Sequence, residues 1–269
     1  MPVQREGGYV AIAIISEMSR SSVRATVLLA AVLLPIALLA CRNQSNSKDD
    51  DEDERPPAGV ASVSAAPVNV PLAQSAITWN FDAATTGSPP TGFSFGRTGS
   101  GRPGRWVVRA VPDAPSRPSV LAQEDNDGTD YRFPIAVEDS VSFKDLSLSV
   151  HCKPVEGRVD RACGIVWRYH DENNYYLARA NALENNVTFY YVDNGRRSEV
   201  KGWNGRVSAG VWHELRADMH GDHVEIYFDG AKVIDAHDSR FLTPGRVGVW
   251  TKADSYTLFD DLTAAPLGS

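Results

Sequence analysis

From Ile77 onward, apolar and polar residues alternate in short runs that Gly, Asn, Asp or Pro brings to an end. Leu146, Leu148, Val150 and Cys152 share one face, with Ser147, Ser149 and His151 on the other. Cys163, Ile165 and Trp167 repeat the pattern, as do Val187, Phe189 and Tyr191. Successive side chains of a strand point to opposite faces, so a period of two marks strands with one side in a core. Val224, Ile226 and Phe228 run into Asp229-Gly230 and then Val233-Ile234, which predicts a hairpin; Asp193-Asn194-Gly195 marks another. No segment carries a sustained helical period with caps. Roughly a dozen such strands in about 190 residues predict an all-β fold, a two-sheet antiparallel jelly-roll sandwich over residues 77–269.

The register of two strands can be tried on the cysteines. If 146–154 and 162–169 form a hairpin centred between Gly157 and Arg158, Cys152 lies opposite Cys163. Val150 then meets Ile165 and Leu148 meets Trp167, so every inward residue finds an inward partner. In an exported protein this pairing permits a Cys152–Cys163 disulfide. Two small buried thiols are the other outcome, because directly opposed strand positions often strain a bridge.

Export is read from the first 55 residues. Ala25 to Ala40 carries no charge and is interrupted by Pro35. It falls short of the roughly 20 residues that span a bilayer and suits the apolar core of a signal peptide, with Arg20 and Arg24 before it. Leu38-Leu39-Ala40-Cys41 resembles a bacterial lipobox, which implies residues 1–40 as leader and Cys41 as the lipidated first residue of the mature chain. Met18 gives the more economical start, since it opens a short basic leader free of Glu6 and Glu17. Residues 41–76 then read as a disordered, self-repelling tether: six consecutive acids, Asp49 to Glu54, precede an Ala/Pro/Val/Ser stretch without period or charge. The expected location is the cell envelope, anchored to its membrane by lipid. The whole chain has a net charge of −7. Residues 48–55 carry −4 of it and the domain from Ile77 onward −5, offset by +2 ahead of the run, and this mildly acidic domain lacks the basic patch that nucleic acid requires.

Two segments hold more polar and aromatic groups than a core needs. The first, Arg168 to Asn186, reads RYHDENNYYLARANALENN and supplies Arg168, Tyr176, Arg179, Asn181 and Glu184; alternation places Arg168 on the outer side of its sheet. The second, Gly245 to Asp261, points Val247 and Val249 inward and leaves Trp250 and Lys252 on the other face, with Asp254 following. Rings that stack on pyranoses, with amides, carboxylates and guanidinium forks that satisfy hydroxyls, are the materials of a sugar site. Structural ion pairs involving Arg168 and Glu184 are the competing reading.

Phe81-Asp82, the central WRYHDENNYYLARANALENN, Trp212-His213, the Phe228-to-Gly230 turn and the terminal VGVWTKADSYTLFDDL together resemble the 3-keto-disaccharide hydrolase domain family. That family lies within the concanavalin A-like, laminin-G-like jelly-roll superfamily, and the resemblance covers nearly all of residues 77–264. It implies a carbohydrate ligand and, at its finest, cleavage of a 3-keto-glucoside by elimination and hydration. Such chemistry needs a general base at C2 and a donor at the ketone oxygen. Glu184 is the candidate base and Arg168, with Arg179 or Lys252, the candidate donor; Tyr176, Asn181 and Trp250 would contact the sugar. The alternative is a non-catalytic, lectin-like carbohydrate-binding module at the cell surface. The two-carboxylate E-x-D-x-x-E strand of related glucanases is absent, as are a serine elbow, a phosphate loop and a zinc spacing. No cofactor is expected, save that Asp82 with Asp260 or Asp261 could share a structural calcium. His220 and His223 flank Gly221-Asp222 and read as a solvated turn rather than a metal site.

Replacing Cys41 by Ser in the full chain should release the protein from the membrane fraction or leave its leader uncleaved. Wild-type fractionation and migration of Cys41→Ser would overturn the lipidation.

Overall fold

The computed structural model describes residues 70–268, and Cys41, the leader and the acidic run lie outside them. The described residues form strands and loops without a helix. The strands are β1 (Ile77–Trp79), β2 (Phe93–Gly99), β3 (Trp106–Ala110), β4 (Ser119–Gln123), β5 (Arg132–Glu138), β6 (Leu146–Glu156), β7 (Ala162–Asp171) and β8 (Asn174–Asn181). They continue as β9 (Asn186–Asp193), β10 (Arg196–Asn204), β11 (His213–His220), β12 (His223–Phe228), β13 (Ala231–His237), β14 (Arg246–Trp250) and β15 (Tyr256–Pro266). All are paired antiparallel in two sheets. One runs β13-β12-β11-β6-β15-β4-β3, with β1 also on β15; the other runs β10-β9-β8-β7-β14-β5-β2.

The alternation in sequence becomes the core. Leu148, Val150, Ile165, Trp167, Phe189, Val247, Val249 and Phe259 are all buried in one cluster between the sheets. Trp167 stacks on Phe189 and Tyr176 at 5.6 and 5.7 Å and donates its indole N–H to Met219 Sδ of the opposite sheet at 3.0 Å. The expected turns form at the expected places. Asn194-Gly195 and Asp229-Gly230 have positive φ at both central residues, the type I′ geometry that matches strand twist.

One register is corrected. Strands β6 and β7 are not a hairpin: β6 pairs with β11 and β15, and β7 with β8 and β14. The intervening loop carries the chain from one sheet to the other. Cys152 and Cys163 are joined by a disulfide with Cα atoms 6.2 Å apart, and the link therefore bridges the two sheets. Alternation cannot distinguish in-sheet partners from partners facing across a core, because both place the same residues inward.

A second correction concerns Arg168. Its φ is +44°, and the β7–β8 and β7–β14 registers both slip around it, so the alternation that assigns it to the outer surface fails there. The side chain is buried. Its guanidinium donates to the carbonyls of Lys144, Gly221 and Phe241 and to Asp145 Oδ1, which ties three loops together. The bulge requires a close backbone neighbour: a Cβ on Gly245 would lie 2.4 Å from the carbonyl carbon of Arg168 and 2.6 Å from its Cα. The chain also joins the sandwich earlier than Ile77. Ala73 N–H donates to Ser142 O, Ser142 N–H donates to Pro71 O, and Leu72 and Ser142 form a parallel bridge.

Gly245→Ala should therefore lower unfolding free energy by about 2–3 kcal/mol in denaturant titration, the upper end of what overpacking costs, because backbone atoms must move. Unchanged stability of that variant would contradict the close approach.

Candidate functional site

Where β7 and β8 meet the β14–β15 loop, polar groups gather at one end of the seven-stranded sheet. Register places Gly164 of β7 beside Arg179 of β8 on one side and Trp250 of β14 on the other. The Arg179 side chain is fully buried and donates to Glu184 Oε2 at 2.6 Å and to Asn186 Oδ1 at 3.0 Å; Asn186 Nδ2 donates in turn to Glu184 at 3.0 Å. Asn181 accepts the N–H groups of Leu183 and Glu184 and donates to Asp160 Oδ1 at 3.1 Å. Lys252 Nζ lies 3.5 Å from Asp160 and 3.3 Å from Asp130. Arg179, Asn181, Glu184 and Lys252 thus come together, joined by Asp160, a residue the sequence reading does not single out.

Asp160 is buried, and burial pushes its carboxyl up to about 6 despite the favourable charges of Arg179 and Lys252. The turn that carries it is held by Asp254, whose carboxylate accepts the N–H groups of Arg158, Val159 and Asp160 at 2.8, 3.0 and 3.0 Å. Arg132 braces the neighbouring loops. It is fully buried and donates to the carbonyls of Arg102, Pro103 and Ala253 and, at 2.8 Å, to Asp125.

The remaining predicted residues lie elsewhere. Tyr176 points into the core, where burial raises its phenol pKa and its hydroxyl donates to Asp238 Oδ1 at 2.6 Å. Arg168 is fixed at the other end of β7, shares no hydrogen-bond partner with Glu184, and does not form the expected catalytic pair with it. Trp250 does lie on the outer face of its sheet, but the ring is buried 5.2 Å from Phe133 and no platform for a sugar is exposed there. That face is filled because the sheet curls. The Arg197 guanidinium covers Phe133 of β5 at 4.8 Å and Tyr190 of β9 at 4.6 Å, although three strands separate them. Tyr131 closes the same gap, its hydroxyl donating to Gly195 O at 2.7 Å and accepting from Arg197 N–H at 2.9 Å.

A cleft of about 470 Å³ opens against the outside of the 157–160 turn. Tyr256 supplies a ring, Glu124, Glu156 and Asp254 carboxylates, Arg158 a guanidinium and Asn126 an amide. This mixture suits a polyhydroxylated ligand, and the volume is in the range of small-molecule sites. Three loops distant in sequence build it, and no local motif announces it; the one clue is that Asp254 and Tyr256 fall within the second polar segment.

The acids that could share a structural calcium each have protein partners. Asp82 accepts Ser119 N–H, Asp260 accepts both Ser116 N–H and Oγ–H, and Asp261 lies beside His151, so these acids hold the 116–119 loop and a neighbouring strand. Among the described residues, metal-ligand atoms converge instead at His223, Glu225 and Asp235.

An all-β sandwich of two antiparallel sheets defines the jelly-roll fold class. No family model matches the chain. A 95-residue stretch is 34% identical to the levanase of Bacillus subtilis; the match spans 35% of this chain and 13% of the levanase. Among solved structures, the carbohydrate binding module CBM66 of Bacillus subtilis superposes with a TM-score of 0.52 at 24% identity, covering 65% of this chain and 96% of that one. The exoplasmic/lumenal domain of VIP36, in its Ca²⁺/Man-bound form, superposes at 0.50 with 10% identity, covering 72% and 90%. The two structural likenesses are likenesses of fold.

Asp160 generates a prediction with a definite sign. Its folded-state pKa of about 6 exceeds the roughly 3.9 of an unfolded Asp, so the folded protein binds the extra proton between those values. Its contribution to stability is therefore best below about pH 4 and falls as pH rises to about 6. Asp160→Asn keeps the acceptor for Asn181 without the charge. Relative to wild type it should gain up to about 3 kcal/mol on going from pH 4 to pH 7. A stability difference that is flat across that range would mean Asp160 ionises normally.

Proposed function

We propose that this domain binds carbohydrate in the cleft around Tyr256, Arg158 and Asp254, and that a lipid on Cys41 holds it at the bacterial cell envelope. The observation that carries the reading is the cleft itself. It exposes a ring, carboxylates, an amide and a guanidinium, and buried groups fix the loops behind it. Support comes also from the similar proteins: one is an enzyme named for levan, one a carbohydrate binding module and one a domain bound to mannose. Binding without catalysis is favoured because the expected base and the expected oxygen donor are already engaged. Glu184 is held by Arg179 and Asn186, and Arg168 is spent on loop carbonyls.

The second reading, a hydrolase or lyase of 3-keto-glucosides in the 3-keto-disaccharide hydrolase family, draws on Asp160. A carboxyl pushed to about 6 beside Lys252 has the pKa that proton transfer near neutrality needs, although it sits behind the 157–160 turn rather than in the cleft.

Calorimetric titration of the full chain with levan, mannose oligosaccharides and a 3-keto-glucoside tests both. Saturable binding of at least one sugar is expected. Tyr256→Ala should weaken it about 5–10-fold through the lost ring contact, with little change in melting. Undiminished affinity in both Tyr256→Ala and Arg158→Ala would place the ligand elsewhere. Turnover of the 3-keto-glucoside, lost in Asp160→Asn but not in Tyr256→Ala, would put the enzyme reading first.

A further inference from the structure

The eight-stranded sheet carries an unusual pattern on its outer face, near the β11–β12 turn and beside the start of β6, whereas the cleft is lined by the other end of β6. The antiparallel registers of β11, β12 and β13 place His220, His223 and His237 in one row across three neighbouring strands. Asp218, Glu225 and Asp235 form the row immediately beside it. Residues 223, 225, 235 and 237 therefore make a square of two histidines and two carboxylates on one face, since residues two apart on a strand point the same way.

The geometry is compact. The rings of His223 and His237 lie 4.7 Å apart at 22°. His223 Nε2 is 3.0 Å from Asp235 Oδ1, and ligand atoms of His223, Glu225 and Asp235 all lie within 4.8 Å of one another. His237 Nδ1 is 3.2 Å from Asp222 Oδ1, a carboxylate contact that orients the ring. A cationic group already sits among the carboxylates: Lys232 Nζ donates to Glu225 Oε1 at 2.8 Å and to Asp235 Oδ2 at 2.9 Å. None of the four corner residues is fully buried, so an ion and its waters have access.

We propose that this square binds one divalent transition-metal ion, with His223, His237 and Asp235 as ligands and Glu225 completing the set. Two imidazoles with carboxylates are a donor set for Zn²⁺, Ni²⁺ or Cu²⁺. Ca²⁺ prefers six to eight oxygens, and a pair of nitrogens does not serve it. The Lys232 ammonium marks where positive charge is stabilised and is the group the metal has to displace. The four residues come from two adjacent strands of one hairpin, so binding would also pin the β12–β13 edge of the sheet.

The metal-stripped full chain should be titrated with Zn²⁺ and, separately, with Ca²⁺, by calorimetry and by melting. Expected are one Zn²⁺ per chain, weak Ca²⁺ binding, and a melting rise of roughly 5–10 °C at a hundredfold excess over Kd. His223→Ala and His237→Ala should each weaken Zn²⁺ at least about tenfold, as loss of a metal-site group commonly does. Lys232→Gln, which removes the competing ammonium and retains every ligand, should strengthen binding. His151→Ala, on β6 beside Asp261, should leave it unchanged. Absence of Zn²⁺ binding at millimolar concentration would overturn the proposal. So would wild-type Zn²⁺ affinity in a folded His223→Ala/His237→Ala double variant, or Ca²⁺ bound as tightly as Zn²⁺.

Discussion

The fold depends on two strands that never hydrogen-bond to each other. The inward rows of β6 and β7, Leu148, Val150 and Cys152 on one sheet and Cys163, Ile165 and Trp167 on the other, meet in one buried cluster, and the disulfide ties them. Full burial of each large apolar side chain stabilises by about 1.5–3 kcal/mol. Trp167 adds ring contacts within its own sheet and a bond to Met219 in the other. Every other strand takes its place by pairing outward from these two, so the positions of the site loops follow from this contact.

The faces of the strands and the hairpins at Asn194-Gly195 and Asp229-Gly230 were legible in the sequence, and the partners of β6 and β7 were not. Alternation placed Val247 and Val249 inward, and they are; it could not tell a hairpin between β6 and β7 from two sheets packed face to face. It also failed at Arg168, where one left-handed residue shifts the phase of the strand and turns a surface arginine into a buried anchor. Trp250 shows a third limit. Its face was readable, but its burial depends on the curl that brings Arg197 over both Phe133 and Tyr190, a property of seven strands together.

The polar end of the sheet was legible in half. The crowding of Arg179, Asn181 and Glu184 in one short segment, with Lys252 in another, indicated a cluster, and all four lie in it. Asp160 stood alone in a turn and gave no signal, because its importance comes from the charges folding packs around it. The cluster also divides labour in a way composition cannot show. Arg132, Asp160, Arg179 and Asn181 are buried and bonded to one another, to loop backbone or, for Arg179, to Glu184 and Asn186, so they fix shape. Tyr256, Arg158 and Asn126 line the opening, where a ligand arrives.

The attachment of residues 70–73 bears on how the domain withstands force. Ser142 is gripped from both sides of its peptide, by Ala73 N–H and Pro71 O, and its hydroxyl reaches back towards Val70 O at 3.1 Å. Because the bridge at Leu72 is parallel, a pull applied on the N-terminal side runs along the paired segments. The hydrogen bonds then share the load and must break together instead of unzipping singly. A domain that is held by its N-terminal end while something tugs on its ligand would have, in these few residues, a shear clamp protecting β1 and the core behind it.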